Sequence, residues 1–256
     1  MKKQLKDFLF QMGVDDVGFC SIENYNSPRS PKIQDLFPDV KTIIVIANKD
    51  LYHSESPNSQ IRSIGKNDSA SFAQSCRIRL ARYLEKNCKA KAMSIPNNYP
   101  MDLSAPNFGF VGTVSMRHAA VGAGLGLFGR HNLVIHPQFG TQVSYTGVLT
   151  NLDIEPDTPL DPSESLCNDC DICVESCPVG ALDKENFTDA PKCIRHSQPY
   201  GISNIIGFGK KFLDTATDEQ KKLLTSTEFM NLIHVLSFGS HYECYTCYNS
   251  CPVGKE

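Results

Sequence analysis

The sequence contains no apolar run long enough to cross a bilayer: its longest purely aliphatic stretch, residues 43–47, falls far short of the roughly 20 residues a membrane helix needs. It does not open as a secretory signal either, because MKKQLKDFLFQMG carries a charge inside its only apolar patch and has no small-residue cleavage site. Both absences predict a cytoplasmic protein with no membrane association. There is no large excess of one charge sign: 25 Lys and Arg against 28 Asp and Glu leave a net charge of −3, which argues against non-specific nucleic-acid binding. No tandem repeat runs through the chain, so a solenoid is not expected. What remains is an ordinary globular composition, 256 residues with 41% hydrophobic side chains, enough for one large domain or two unequal ones.

The charge is unevenly spread. Residues 1–150 hold 17 basic and 11 acidic side chains (+6), whereas residues 151–256 hold 8 and 17 (−9). This asymmetry predicts two modules, of which the first would accept an anionic ligand or partner. The stretch DIEPDTPLDPS over 153–163, with three prolines and four acids, reads as an extended linker. The predicted division is therefore 1–155 and 156–256.

Within the first module, Leu5, Phe8, Leu9 and Met12 share one helical face ahead of Gly13. Strands are predicted over 17–20 and 42–48, the second a β-branched run of the kind buried on both faces. Residues 69–87 read as a helix whose apolar face is Phe72, Cys76, Leu80, Ala81 and Leu84, with arginines opposite. A strand near 91–95, a helix within 116–127 ending in a glycine-bearing loop, and strands over 133–135 and 143–149 complete the pattern.

Eleven cysteines in a cytoplasmic chain point to metal or redox chemistry rather than disulfides. Cys20, Cys76 and Cys88 are scattered and read as structural thiols. The other eight crowd into the second module. Cys167, Cys170, Cys173 and Cys177-Pro178 have the CxxCxxCxxxCP spacing of bacterial two-cluster ferredoxins, whose fourth cysteine serves the other cluster. Cys244, Cys247 and Cys251-Pro252 repeat that motif short of one cysteine, and Cys193 supplies the missing thiolate. The crossed pattern assigns Cys167, Cys170, Cys173 and Cys251 to one 4Fe–4S cluster, and Cys177, Cys193, Cys244 and Cys247 to a second. CxxC pairs also build zinc sites, but the third CxxC-spaced cysteine, the CP ending and the near-duplication favour clusters. Four-cysteine clusters carry one electron each and do no bond chemistry alone, so they imply a donor and an acceptor. Tyr242, Tyr245 and Tyr248 alternate around the last cysteines and would shield a cluster from water, or simply pack. The glycine-containing stretch 200–215 would cover the site.

The cysteine arrangement, preceded by AGLGLFGRHNLVIHPQFGTQVSYTGVLTNL over 123–152, resembles the epoxyqueuosine reductase family, cobalamin-dependent iron–sulfur enzymes related to reductive dehalogenases. The similarity continues through MGVDDVGFC (12–20), VKTIIVIANKDLY (40–52) and the helix over 69–87, and so covers nearly the whole chain. It implies an α+β protein: a nitroreductase-like α/β cobalamin-binding domain followed by a two-cluster ferredoxin-like domain. It further implies that Gly124, Gly126, Gly129, Arg130, His131 and Asn132 contact cobalamin.

For proton donation the resemblance points to an aspartate in an Asp-Thr/Ser-Gly/Ala-Pro run. Here MDLSAP over 101–106 puts Asp102 one residue out of register. Of Arg117 and His118, the titratable pair nearby, His118 is the second candidate, with an ordinary pKa near about 6.5.

The expected function is an oxidoreductase passing electrons from a low-potential carrier such as ferredoxin or flavodoxin, through both clusters, to a bound cobalamin that carries out a reduction. Two alternatives stand beside it, a partner that reduces a separate corrinoid protein and an epoxyqueuosine reductase acting on tRNA. Members of the family usually continue into helical repeats that help hold tRNA, whereas this sequence stops five residues after Cys251. With the slightly acidic net charge, that ranks tRNA below a small molecule or a protein as substrate.

Overall fold

The computed structural model describes residues 1–95, 111–185, 187–239 and 244–254. Its first part runs α1 (Lys2–Phe10), β1 (Asp16–Ser21), β2 (Thr42–Lys49), α2 (Ser59–Cys88), β3 (Ala92–Ile95), α3 (Met116–Gly122), β4 (Leu127–Phe128), β5 (Val134–Ile135) and β6 (Val143–Thr150). After β6 the described residues are helical or irregular: α4 (Ile172–Glu175), α5 (Ala190–Ser197), α6 (Ile202–Leu213), α7 (Thr217–Leu224), α8 (Thr227–Phe238) and α9 (Thr246–Ser250). The fold is α+β. No helix among the described residues is long and apolar enough to cross a membrane.

Four strands form one sheet in the order β1-β2-β6-β3, and every neighbouring pair is antiparallel. The β2 side chains alternate with the two-residue period of a strand. Ile43, Val45 and Ala47 pack with Ala119, Ala120, Ala123 and Leu125 of α3 and the turn after it. Ile44 and Ile46 pack on the other face with Leu5 and Leu9 of α1 and Cys76, Leu80 and Leu84 of α2. A strand covered on both faces has no polar face to alternate with, which is why its sequence reads as one apolar run.

The 30-residue α2 is longer than the periodicity over 69–87 indicates. Asn58 starts it by accepting the amide protons of Gln60 and Ile61, as an N-cap side chain does, and Lys89 ends it at a φ of 52°. Two positions on this helix differ from the sequence pattern. Phe72 is 39% exposed. Arg77, placed opposite the apolar face by its charge, is instead 4% exposed. Its Nε donates to Ser94 Oγ at 2.9 Å and an Nη donates to Thr146 Oγ1 at 3.4 Å, so hydrogen bonds to β3 and β6 offset the burial of its charge.

The helix expected within 116–127 stops at Gly122. The proline-bearing stretch after β6 is no free tether. Asp157 lies along the open edge of β1, donating its N–H to the Phe19 carbonyl at 2.8 Å and accepting the Phe19 N–H on its carboxylate at 2.8 Å. Lys2 pairs with that carboxylate at 2.6 Å, and Ile154 is buried. A strap of this kind covers the unpaired backbone of an edge strand.

Candidate iron–sulfur and redox site

The C-terminal cysteines are carried by short helices and loops that lean on the sheet module. Around α9, Tyr248 donates its hydroxyl to Asp50, whose carboxylate also receives Lys66 Nζ at 2.5 Å and Ser144 Oγ at 2.8 Å. Thr141 Oγ1 donates to the Tyr248 carbonyl at 2.8 Å, and Asn249 donates to the Ser54 carbonyl at 3.3 Å. Burial pushes the Tyr248 hydroxyl above its ordinary pKa, and the Asp50 charge adds to the shift, so the tyrosine stays a donor. Tyr245 is buried beside it with their rings 5.9 Å apart, while Tyr242 lies outside the described residues. The C-terminal cysteine segment is thus anchored by groups from the turn after β2, from α2 and from β6 and its approach, all far away in sequence.

Eight cysteines fall around two spaces. Cys177, Cys193, Cys244 and Cys247 line a cavity of about 200 Å³ together with Arg117, His131 and Asn132. Cys167, Cys170, Cys173 and Cys251 line a narrower one with Arg130 and His131. Each set draws cysteines from both halves of the motif pair. Burial pushes the Cys247 thiol up to about 12, with the nearby Cys193, Cys244 and Cys177 adding to the shift. Burial raises Cys173 as well, with Cys167, Cys251 and Cys170 contributing. Thiols crowded together hold their protons until a metal takes their place.

Among the described residues no group of three or more His, Cys, Asp or Glu side chains is gathered for a single metal ion. Four sulfur donors around each space fit a 4Fe–4S cluster. The scattered cysteines stand apart: Cys20 and Cys76 are buried and Cys88 is half-buried. Burial pushes the Cys20 thiol up to about 12, as befits an inert core thiol.

The loop over 122–132 is built around its glycines. At Gly124 (φ +69°) a Cβ would run into the Thr158 carbonyl oxygen, and at Gly126 (φ +149°) into the Ile135 carbonyl. At Gly129 it would meet the Ile135 side chain and the His131 ring. All three positions face the protein's own atoms, so tight internal packing requires these glycines. Arg130 pairs with Asp171 at 3.3 Å, and its amide donates to Cys167 Sγ at 3.4 Å. His131 is 5% exposed, and burial lowers it to about 4. Asn132, at a φ of 60°, accepts from Arg117 at 2.6 Å through its carbonyl. The loop therefore touches the cysteine segments directly.

Next to the larger cavity lies a polar cleft of about 190 Å³ lined by Ser27, Arg29, Ser115, Arg117, His118 and Asn132. The two spaces share Arg117, Asn132 and Thr188. His118 Nδ1 and Ser115 Oγ stand 2.7 Å apart, and the His118 ring leans on Phe128 at 5.0 Å. Burial lowers His118 below its ordinary value, and the Arg117 and Arg29 charges lower it further. The ring is therefore neutral at pH 7 and takes a proton only in more acid solution. In an NMR titration His118 is expected to show a midpoint below 6.5 that rises part of the way back in Arg29→Ala; a midpoint at or above 6.5 would show that the cleft does not desolvate it. Asp102, the other acid candidate, lies outside the described residues.

Sequence reasoning missed Arg29, Ser115, Asp50 and Lys66. Arg29 sits in a proline-bearing loop whose composition carries no signal, Ser115 pairs with His118 only three residues away, and Asp50 and Lys66 acquire their roles through contacts across the fold. The stretch 200–215 forms α6, in which Phe208 is buried and stacks on Phe229 of α8 with centroids 5.5 Å apart.

A 4Fe–4S binding domain family matches residues 161–183. The epoxyqueuosine reductase of Staphylococcus aureus is 27% identical over 222 residues, covering 76% of this chain and 55% of that protein; the chain spans about half the length of that relative. A solved structure of an epoxyqueuosine reductase with a tRNA-Tyr epoxyqueuosine-modified stem loop matches with a TM-score of 0.63 at 20% identity, covering 99% of this chain and 65% of that one. A reductive dehalogenase whose structure bears on B12-dependent dehalogenation matches with a TM-score of 0.55 at 17% identity, over 93% of this chain and 36% of the other. In sequence and in fold, the chain is epoxyqueuosine reductase-like.

Proposed function

We propose that the chain is an oxidoreductase of the epoxyqueuosine reductase type, with two 4Fe–4S clusters that feed electrons toward the cleft of Arg29, Ser115, Arg117 and His118. The observation that carries this reading is the sorting of eight cysteines around two spaces, one of which shares its wall with the cleft. The set of Cys167, Cys170, Cys173 and Cys251 is the entry side, because Cys170 is exposed to a carrier. The set of Cys177, Cys193, Cys244 and Cys247 is the exit side. A low-potential carrier of the ferredoxin or flavodoxin class is the fitting donor. Removing an epoxide oxygen as water takes two electrons and two protons, and two one-electron clusters match that electron count.

The three glycines are taken up by internal contacts, whereas the polar cleft offers groups that suit parts of cobalamin. Arg29 and Arg117 suit its phosphate, and Ser115, His118 and the Asn132 backbone suit its amide groups. When bound, it supplies the reduced cobalt that acts on the substrate. The chain's own residues bind and orient there, and Ser115 with His118 offers a hydrogen-bonded pair through which a proton can move.

The epoxyqueuosine-bearing anticodon region of tRNA is the substrate that the relatives favour, ahead of the small molecule or protein that net charge alone suggests. The excess of positive charge in residues 1–150 and the two arginines at the cleft support a polyanion. A second reading, a partner that reduces a separate corrinoid protein, draws support from the glycine loop, whose close approaches are all taken by the protein itself.

Anaerobic titration of the iron-loaded protein with Co(II) cobalamin is expected to give a base-off cobalt EPR spectrum at about one cobalt per chain. Expression in cells lacking their reductase is expected to restore queuosine. An unchanged cobalt spectrum would remove cobalamin and leave the second reading, and bound cobalamin without queuosine would remove the tRNA substrate.

A further inference from the structure

Two residues that line the larger cysteine cavity, His131 and Thr188, each bury a polar atom, Nε2 and Oγ1, that has no hydrogen-bond partner among the described residues. The His131 ring is fixed by its other nitrogen: the Leu133 amide donates to Nδ1 at 3.1 Å. An Nδ1 that accepts a hydrogen bond leaves the single ring proton of neutral histidine on Nε2, so the orphan atom is a donor. Thr188 likewise carries a hydroxyl proton with no acceptor. An unmatched buried donor is costly, and two on residues that border one cavity point to an acceptor that belongs in that space. Around them stand Cys177, Cys193, Cys244 and Cys247. His131 also borders the narrower cavity, which puts its ring between the two cysteine sets.

We propose that His131 Nε2–H and Thr188 Oγ1–H donate hydrogen bonds to sulfur atoms of the cluster held by Cys177, Cys193, Cys244 and Cys247. This rests on the two-cluster reading. It gives the Gly129–Asn132 turn a purpose other than cofactor contact: the turn holds a neutral donor against a cluster. Hydrogen bonds to sulfur stabilise the reduced, more negative state and raise a cluster's potential. With two such donors, this inner cluster accepts an electron more readily than it would without them.

The experiment is an EPR-monitored redox titration of wild type, His131→Phe, His131→Gln and Thr188→Val, each after iron and sulfide analysis. In His131→Phe the midpoint of the inner cluster is expected to fall by an amount equivalent to at least a tenfold change in its reduced-to-oxidised ratio, about 59 mV for one electron. Thr188→Val should lower the same midpoint by less, and His131→Gln, which keeps an N–H donor, should recover part of the loss. The Cys193→Ala protein, expected to keep only the outer cluster, identifies which midpoint is which. If wild type does not load about eight irons, the two-cluster reading itself fails. Full iron loading with an inner midpoint unmoved in both His131→Phe and Thr188→Val would overturn the proposal and leave the clusters standing. Should His131→Phe fail to load iron, Thr188→Val and His131→Gln decide the question.

Discussion

Replacing Cys193 by alanine is expected to lower reconstituted iron from about eight to about four atoms per chain and to leave the signal of a single cluster. The reason is positional. Cys193 comes from α5, outside both CxxC runs, yet it lines the cavity of Cys177, Cys244 and Cys247. Its amide donates to the Asp189 carbonyl at 2.9 Å, while the Asp189 side chain caps the helix at the Lys192 amide at 3.0 Å, so the backbone holds the thiol in place. Cys251, although it lies four residues after Cys247, belongs to the other space. Its replacement is expected to remove the other cluster and spare this one. Cys88→Ser, at a half-buried position on α2, is the control and should retain all the iron. Full iron in Cys193→Ala would remove Cys193 from the ligand set and break the crossed assignment.

Asp50→Ala is expected to destabilise the protein by about 3 kcal/mol in urea unfolding and to loosen the C-terminal cysteine segment. The Asp50 side chain is 1% exposed and receives Lys66, Ser144 and Tyr248, so alanine takes an acceptor from three donors, of which Lys66 keeps Ser144 Oγ at 2.6 Å. Lys66 keeps 29% of its side chain exposed, which lets water take over part of its solvation and holds the figure at the lower end of what breaking a buried pair costs. Tyr248→Phe removes one of the three bonds and should cost about 1 kcal/mol. The more telling readout is iron. Since Tyr248 sits between Cys247 and Cys251, Asp50→Ala should speed the loss of iron to a chelator from both clusters. Wild-type stability together with wild-type iron retention would show that this network does not hold the segment.

The strands and helices of the first module follow from local pattern, because a strand or amphipathic helix that buries one side writes that side into its period. Thr42–Lys49 illustrates this: a continuous apolar run predicted a strand covered on both faces, and α2 and α3 cover it. Arg77 marks the limit of such reasoning. Charge alone predicts an exposed side, but Ser94 and Thr146 come from strands that follow α2 in sequence and meet it only in the folded chain. The glycine loop marks a second limit. Its composition says that something approaches closely, and only the packing says that Thr158 and Ile135 do so.

By itself the sequence determined the eight-cysteine pattern, individual helices and strands of the N-terminal part and the change of character after residue 150, since ligand spacing and periodicity are local properties that a chain carries unfolded. Tertiary structure decided that the polar cleft abuts one of the two cysteine spaces and that Asp50 and Lys66 brace α9. It also put His131 between the two cysteine sets. Each of these depends on residues far apart in sequence being brought within a few ångströms, and neither composition nor periodicity records such distances.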